Sequence, residues 1–392
     1  MGLEQKNRQT QINVSKYNNY VYVVISTLNQ VINMIPYKIY NFEEVYNLTI
    51  IDSPYFSNSD FDKNLNINIK KTIEFSQNEM NNINAITIKL SEIFSDKDKI
   101  FWNITGGQRP FILAISEFIK NRGNDVLCYL EGNSSTMTIV PKNIKMTENI
   151  RYNESYITIE EALKLMGFRF KKIDTKKGNL DERKFYNDFY KLYKNENNKT
   201  LRKELIELNK TQQPSCKEFI EKSSFRKELE NIDFCKNTED DFKKQYPFGY
   251  ILEKLAFYKL EQEIKSKVES LVHSLKIIFD DEDKQKEADH KIIDEFDIAL
   301  LTKHGKFIIF ECKSGAMSGD VAKSTKYSTY AISGVYGKPI LITPLTRKEI
   351  NDIDNLNESY KRIKSAIKSA NRATLDVWGI DEIAEKISKY LD

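Results

Sequence analysis

Hydrophobic and polar positions along this chain form two blocks of alternating strand and helix signals, separated by a long charged stretch. Tyr20–Ser26 is a run of valine, tyrosine and isoleucine that predicts a buried strand, and it ends in the polar turn Thr27-Leu28-Asn29-Gln30. Leu48–Ile51 predicts a second strand, closed by Asp52-Ser53-Pro54, and the asparagine-rich region from Asn58 to Asn84 predicts at least one helix. A clean unit follows. Ile100–Ile104 predicts a strand, Thr105-Gly106-Gly107 a turn and Pro110–Lys120 an amphipathic helix. Val126–Leu130 predicts the next strand, followed by the turn Glu131-Gly132-Asn133 and a strand near Thr136–Val140. Strand, helix and strand with short links imply a parallel α/β sheet, placing a first domain at 1–150.

The middle of the chain, 151–245, reads differently. Thr158 with Glu161 forms a capping box, and Gly167 is a stop for the helix it starts. Beyond it, charges of both signs mix with few β-branched residues, which predicts a helical linker, with a winged-helix-like arrangement as one option. The second block, 246–392, opens with a helix over Pro247–Glu263 that has proline at its first position. A loop over Asp280–Asp289 leads to two strands within Asp294–Lys313, joined by the turn Thr302–Lys306. Then come a helix near Val321–Ile332, a strand Pro339–Ile342 and a helix near Tyr360–Asn371. A last strand and helix are expected over Thr374–Trp378 and Ile380–Tyr390. This predicts a second α/β domain.

Composition narrows the function. The 392 residues suffice for two or three domains, and 30% charged against 40% hydrophobic residues is ordinary for a soluble globular protein. The net charge of +3 excludes a global basic field, so any nucleic-acid contact must come from a local patch. The four cysteines, Cys128, Cys216, Cys235 and Cys312, lack metal-type spacing and are expected as reduced thiols. Three histidines argue against a histidine-rich metal site. No apolar run reaches membrane length and the polar start is not a signal peptide, so a cytoplasmic protein without a membrane partner is expected.

Chemistry is concentrated in the hairpin. Charges within apolar strands are costly unless paired or bound to a metal. Here Asp297 sits before Ile298-Ala299-Leu300-Leu301, and Glu311-Cys312-Lys313 follows Phe307-Ile308-Ile309-Phe310. Asp297, Glu311 and the Cys312 carbonyl can hold a divalent oxygen-loving ion, which would polarise a phosphate and acidify a bound water. Lys313 can orient or deprotonate that water, or stabilise charge. On the preceding helix, Glu253 has Gly249, Tyr250, Ala256 and Phe257 three and four residues away, so it lies on the apolar stripe and invites a cation. Glu295 shares a strand face with Asp297 and is either a supporting or a surface charge. Without Glu253 and Asp297, Glu311–Lys313 would read as an exposed ion pair.

In this order and on these elements, the residues resemble the PD-(D/E)xK restriction-endonuclease-like superfamily. Glu253 matches its helix acid, Asp297 its Asp, and Glu311-Cys312-Lys313 its E-x-K, with Phe296 where the motif has proline. The resemblance implies metal-dependent cleavage of phosphodiester bonds with Mg²⁺ or Mn²⁺, the metal held by Glu253, Asp297, Glu311 and Cys312. Lys323, Lys326 and Tyr330 fall where many such nucleases carry residues that contact the scissile phosphate.

The first domain carries a different signature. Asn103-Ile104-Thr105-Gly106-Gly107-Gln108-Arg109 joins a strand to a helix, where glycines and free N–H groups can approach a phosphate and Arg109 adds charge. Ser26, Thr27, Asn29 and Gln30 end the first strand, and both loops would lie at the carboxyl ends of parallel strands. This combination resembles the CARF domain, the Rossmann-like sensor of CRISPR-associated proteins, whose T-G-G-T-K-like loop is here Thr105-Gly106-Gly107-Gln108-Arg109. CARF followed by PD-(D/E)xK resembles the type III CRISPR ancillary nucleases switched on by cyclic oligoadenylate. The resemblance implies a homodimer that binds cyclic tetra-adenylate, or the hexa-adenylate, across its two-fold axis, contacting Ser26, Thr27, Asn29, Gln30, Asn103 and Thr105–Arg109. It implies DNA or RNA as the substrate and antiviral defence as the role. Two other readings stay open: a CARF transcription regulator with an inert nuclease-like domain, and a ring nuclease that degrades its own ligand.

Overall fold

The computed structural model describes residues 14–27, 30–51, 69–131, 134–142, 147–152, 156–174, 180–208, 214–264, 268–355 and 358–391. The chain divides into two units. One comprises Met1–Arg169 with Phe279–Lys284 and Lys303–Lys306; the other comprises Phe170–Ile278, Gln285–Thr302 and Phe307–Asp392. Each unit holds one mixed sheet, so the fold class is α/β.

The first unit is built on seven strands in the order β3-β2-β1-β4-β5-β6-β7. β1 (Val21–Ile25), β2 (Glu44–Ile50), β3 (Ile69–Phe75), β4 (Ile100–Asn103) and β5 (Val126–Glu131) run parallel. β6 (Thr136–Pro141) and β7 (Glu148–Arg151) add antiparallel strands, so the expected parallel sheet is a mixed one. β1 is buried along its whole length, as a central strand of β-branched and aromatic residues must be. Helices α1 (Val31–Tyr40), α2 (Ile83–Phe94) and α3 (Arg109–Phe118) cover the sheet. Val21, Val23 and Ile25 share a core with Leu90 and Phe94 of α2 and with Phe111 and Ile115 of α3. On the other face Tyr22 stacks on Phe42 at 4.4 Å, in a ring cluster with Phe101. The expected capping box is formed. Thr158 and Glu161 bond reciprocally at the start of α4 (Ile159–Lys164), and Gly167 takes φ +81° beyond its end.

The second unit carries six strands in the order β13-β12-β11-β10-β9-β8. β8 (Phe168–Asp174) lies at one edge, beside β9 (Val268–Phe279). β9, β10 (Asp294–Thr302) and β11 (Phe307–Cys312) are antiparallel, and β12 (Lys338–Thr343) and β13 (Asp376–Gly379) continue from β11 in parallel. Among the described residues of 180–242, five α-helices precede β9: α5 (Leu180–Lys194), α6 (Lys199–Glu207), α7 (Cys216–Lys222), α8 (Arg226–Asn231) and α9 (Phe234–Phe242). They pack with α10 (Pro247–Ile264), α11 (Gly319–Ser333), α12 (Lys361–Arg372) and α13 (Ile383–Leu391) in one apolar core that includes Ile298, Ile308, Phe310 and Trp378. The charged 171–245 segment thus shares its core with the sheet.

The expected hairpin, its parallel neighbours and the helices around it are present, with ends shifted by a few residues. Strands β3, β7, β8 and β9 were not anticipated. β3 places a helix-like polar mixture, Ile-Lys-Lys-Thr-Ile-Glu-Phe, at a sheet edge where only Ile73 and Phe75 are buried. β9 is half-buried along most of its length, so its apolar positions do not stand out. One expectation about the thiols is overturned. Cys216 of α7 and Cys235 of α9 form a disulfide, their Cα atoms 5.5 Å apart, because the packing of two helices brings together residues 19 apart in sequence. Cys128 and Cys312 are free and buried.

One buried ion pair ties α6 to the segment after β12. The Arg202 guanidinium donates to Glu349 at 3.0 Å and to the carbonyls of Tyr193 and Asn195 at 2.8 and 2.7 Å. Glu349 also caps its own helix through Thr346. Removing one partner strands a buried charge. Arg202→Ala is therefore expected to destabilise the protein by about 3–5 kcal/mol, measured as a shift in the denaturant midpoint. An unshifted midpoint would show that the helical segment folds independently of the sheet.

Candidate functional site

In the second unit, four of the predicted residues converge. α10 is apolar around most of its surface, burying Ile251, Leu252, Leu255 and Ala256, and this carries Glu253 inward with it. The β10–β11 ladder pairs Ile298 with Phe310 and stops there. One step further, the Cys312 N–H donates to the Asp297 carboxylate at 2.7 Å instead of to a backbone carbonyl. The hairpin opens at that point and admits a carboxylate into the sheet. On the other side, β9 pairs Leu275 with Phe296 and His273 with Ile298, while Ser274 between them takes φ +52°. A left-handed serine inside a strand is strained backbone, and such strain gathers at functional sites.

Glu311 is buried and forms an ion pair with Lys313 two residues on, the same-face spacing expected of a strand. Burial pushes the Asp297 carboxyl well above its ordinary range, and the Glu311 and Glu253 carboxylates push it further; Lys313 and the Cys312 N–H work against them. Glu311 is raised by burial, with Lys313 opposing. For Lys313 burial disfavours the ammonium, but Glu311 and Asp297 outweigh it and hold the side chain cationic. The Cys312 thiol is pushed up by burial; its contribution to the site is main-chain.

The donor set suits a hard cation: carboxylate oxygens, a main-chain carbonyl and a local excess of negative charge. Among the described residues no three His, Cys, Asp or Glu side chains are gathered closely enough to hold an ion as they stand. The Lys313 ammonium against Glu311 supplies the positive charge that the cluster requires. Glu253, Asp297, Glu311 and the Cys312 carbonyl fit the group in chemistry, and Lys313 would have to release Glu311 to admit it.

A cavity of about 410 Å³ opens at this cluster. Tyr246, Gly249, Tyr250 and Glu253 of the α10 region line it, with Lys313 and Ser314 after β11 and Arg362 at the start of α12. His273 is a neighbour that the sequence reading missed: its Nε2 lies 3.8 Å from a Glu253 oxygen, and its ring packs near Phe257. β9 mixes polar and apolar residues, so a single imidazole within it gave no signal. Lys323, Lys326 and Tyr330 lie on α11 and are not among the residues lining the cavity. Lys326 bonds to Thr374 and lies over the Tyr330 ring, and Lys323 faces Asp320. Glu295 is largely exposed and pairs with Lys276 at 2.9 Å and Ser274 at 2.8 Å.

In the first unit, the two predicted loops meet. Strand order reverses between β1 and β4, which are neighbours whose connections leave in opposite directions. That is the switch point at which open α/β sheets bind ligands, beyond the carboxyl ends of the strands. A Cβ on Gly106 would sit 2.5 Å from Thr27 Cγ2 and 2.8 Å from its Cβ, so the close approach of the loop to the end of β1 favours glycine there, whereas one on Gly107 would meet the movable Cδ1 of Ile25. Asn103 and Gln30 are buried and committed internally. The Asn103 amide donates to Asn33 and to Tyr22, each at 3.0 Å, and accepts from the Thr105 hydroxyl at 2.6 Å. Gln30 accepts from Asn33 at 2.8 Å. Ser26, Thr27, Gly106, Gly107 and Gln108 are half-buried and Arg109 is exposed, at the first turn of α3, where Gln108 makes no side-chain cap. Asn29 lies outside the described residues.

The fold is that of known structures. The chain is similar to Can2 from Sulfobacillus thermosulfidooxidans in complex with cyclic tetra-adenylate, with TM-score 0.62 and 15% identity over 96% of this chain and 98% of that one. It is also similar to protein VC1899 from Vibrio cholerae, with TM-score 0.65 and 16% identity over 95% and 97% of the two chains. Both likenesses run nearly end to end. No protein-family model matches the sequence, and no curated protein does.

The electrostatics of Asp297 make a prediction about stability. A carboxyl whose pKa is higher folded than unfolded binds its proton more tightly in the native state, so stability falls as pH rises above the ordinary value of 3.8. Asp297→Asn keeps an oxygen for the Cys312 N–H and removes the charge. At neutral pH it is expected to raise stability by about 0.5–2 kcal/mol, read from denaturant titrations. A loss of stability would show that Asp297 is a favourable structural charge.

Proposed function

We propose that this chain is a metal-dependent nuclease switched by a cyclic oligoadenylate, acting in type III CRISPR defence. The observation that carries the reading is the clustering of Glu253, Asp297, Glu311 and Lys313 beside a cavity that Glu253 and Lys313 line, in a chain that shares its fold end to end with a structure bound to cyclic tetra-adenylate. The reaction is hydrolysis of a phosphodiester. A water oxygen forms a bond to phosphorus, the bond to the leaving oxygen breaks, and the proton lost by the water is balanced by one gained at the leaving oxygen.

A divalent cation, Mg²⁺ or Mn²⁺, held by Glu253, Asp297, Glu311 and the Cys312 carbonyl would polarise the phosphate and acidify the water. Lys313, kept cationic by its acidic neighbours, places an ammonium where negative charge accumulates on the phosphoryl oxygens. This favours charge stabilisation over proton abstraction for this residue. His273 lies beside Glu253, its Nε2 3.8 Å from a carboxylate oxygen.

In the first unit, Ser26, Thr27, Thr105, Gly106, Gly107, Gln108 and Arg109 form the ligand face; Asn29 is assigned to the ligand from the sequence alone. Asn103 and Gln30 act through the loops they fix. Main-chain N–H groups at the start of α3 and the Arg109 guanidinium suit phosphates. A homodimer would present two copies of this face to a ring with two-fold symmetry. The substrate is DNA or RNA.

Glu311→Ala and Lys313→Ala are each expected to lower cleavage by at least about a hundredfold. The assay uses DNA and RNA substrates with Mg²⁺ or Mn²⁺ and cyclic tetra- or hexa-adenylate, and retained cleavage by either variant would remove the site assignment. Arg109→Ala is expected to weaken binding of cyclic tetra-adenylate about tenfold or more, measured by calorimetry. Linear products from the labelled ring would instead identify a ring nuclease. Duplex binding without cleavage would identify a regulator.

A further inference from the structure

We infer that the cavity beside Glu253 is a nucleotide subsite in which Arg362 takes a backbone phosphate next to the scissile one and Tyr250 stacks on the adjoining base. The inference rests on the nuclease reading for the identity of the reacting bond, and on separate residues for the subsite. Three observations support it. The first is size: about 410 Å³ is within the range of pockets that enclose small ligands, and the cavity shares Glu253 and Lys313 with the cluster.

The second is charge. α12 presents the cations Lys361, Arg362, Lys364 and Lys368. Lys361 faces Glu358, and Lys364 and Lys368 face Asp354 at 2.7 and 3.8 Å. Arg362 lines the cavity and has no ion-pair partner among the described residues. Lys313 is assigned to the scissile phosphate, so Arg362 is the cation lining this cavity that is left for a neighbouring phosphate, and its planar fork suits two phosphate oxygens at once.

The third is the pair of exposed aromatics. Tyr246 and Tyr250 keep 51% and 37% of their surface in solvent although both border the cavity. Lys244 lies 3.8 Å over the Tyr250 ring and is itself 3.7 Å from buried Asp241, which fixes the ring from one face. A ring held on one face offers the other to a base, and such stacking tolerates any base.

The test measures binding and turnover separately. Short fluorescein-labelled DNA and RNA oligonucleotides are titrated into the Glu311→Gln protein with cyclic tetra-adenylate present, and anisotropy reports binding. Adding Tyr250→Ala or Arg362→Ala is expected to weaken binding about tenfold, Tyr250→Phe less than about twofold. In the otherwise native protein the same changes should raise KM and leave kcat within about twofold. A single abasic site is then moved along the oligonucleotide. At one position it should weaken the Tyr250-containing protein and leave the Tyr250→Ala protein unaffected.

Equal losses from Tyr250→Ala on intact and abasic oligonucleotides at every position would overturn the stacking role, and unchanged binding by Arg362→Ala would overturn the phosphate role. If the native protein cleaves and these variants match it throughout, the subsite fails alone. If nothing is cleaved but the binding differences persist, the nuclease reading fails and the subsite stands.

Discussion

A carboxylate inside a sheet has to be held by something other than the sheet. Asp297 lies one residue beyond the last β10–β11 pair, Ile298 with Phe310, and its side chain takes the Cys312 N–H. That bond has consequences in both directions. It spreads the hairpin at Glu311, so the second carboxylate and Lys313 can reach the same space. It also leaves Ser274 on β9 opposite an irregular position, where it takes a left-handed conformation and turns its hydroxyl to Glu295. Burial and the mutual repulsion of the acids then make the cluster unfavourable unless a cation joins it. Lys313 meets that need within the protein.

The first unit solves a related problem with neutral groups. The carboxyl ends of β1 and β4 meet at the switch point, where Asn33, Asn103, Gln30 and Tyr22 form a closed hydrogen-bonded set beneath the loops. A buried polar set of this kind is rigid when every member has a partner. It fixes the Thr105–Gln108 turn against Thr27 closely enough that a Cβ at 106 would collide with the threonine side chain. The residues left with exposed surface, Thr27, Gln108 and Arg109 among them, are therefore presented on a backbone that has little freedom to move. Pre-ordering of that kind lowers the entropic cost of binding a ligand.

What could be read from the sequence follows from how local each signal is. The β10–β11 hairpin was legible because two apolar runs bracket a polar turn and carry charges at strand spacing. Glu253 was legible because its neighbours three and four residues away are small or aromatic. Each needs only one element. His273, Arg362 and Tyr250 were not legible as site residues, since their positions depend on how β9, α12 and α10 pack, and a lone histidine or arginine carries no such information. The same holds for Cys216 and Cys235, which meet only because α7 and α9 lie side by side. β3 and β9 escaped because edge and half-buried strands carry polar residues on the positions that would otherwise show alternation.

The helical segment that looked like a linker changes the meaning of the cavity. Its aromatic residues, Phe185, Phe189, Tyr193 and Phe234, belong to the core that also holds Leu255 and Phe310, and Ile206 of α6 reaches the cavity wall. Arg202 on the same helix is locked to Glu349 beyond β12. One face of the cavity is thus set by helices that precede α10 and another by α12 near the end of the chain, with Glu253 and Lys313 between them. A cavity shaped by elements so far apart in sequence cannot be altered by changing one of them without disturbing their shared core. The free residues are those at its rim, Tyr246, Tyr250 and Arg362, which touch that core least. In the proposed site the acids and Lys313 are held by the sheet and by α10, whereas the rim side chains could change with the packing intact.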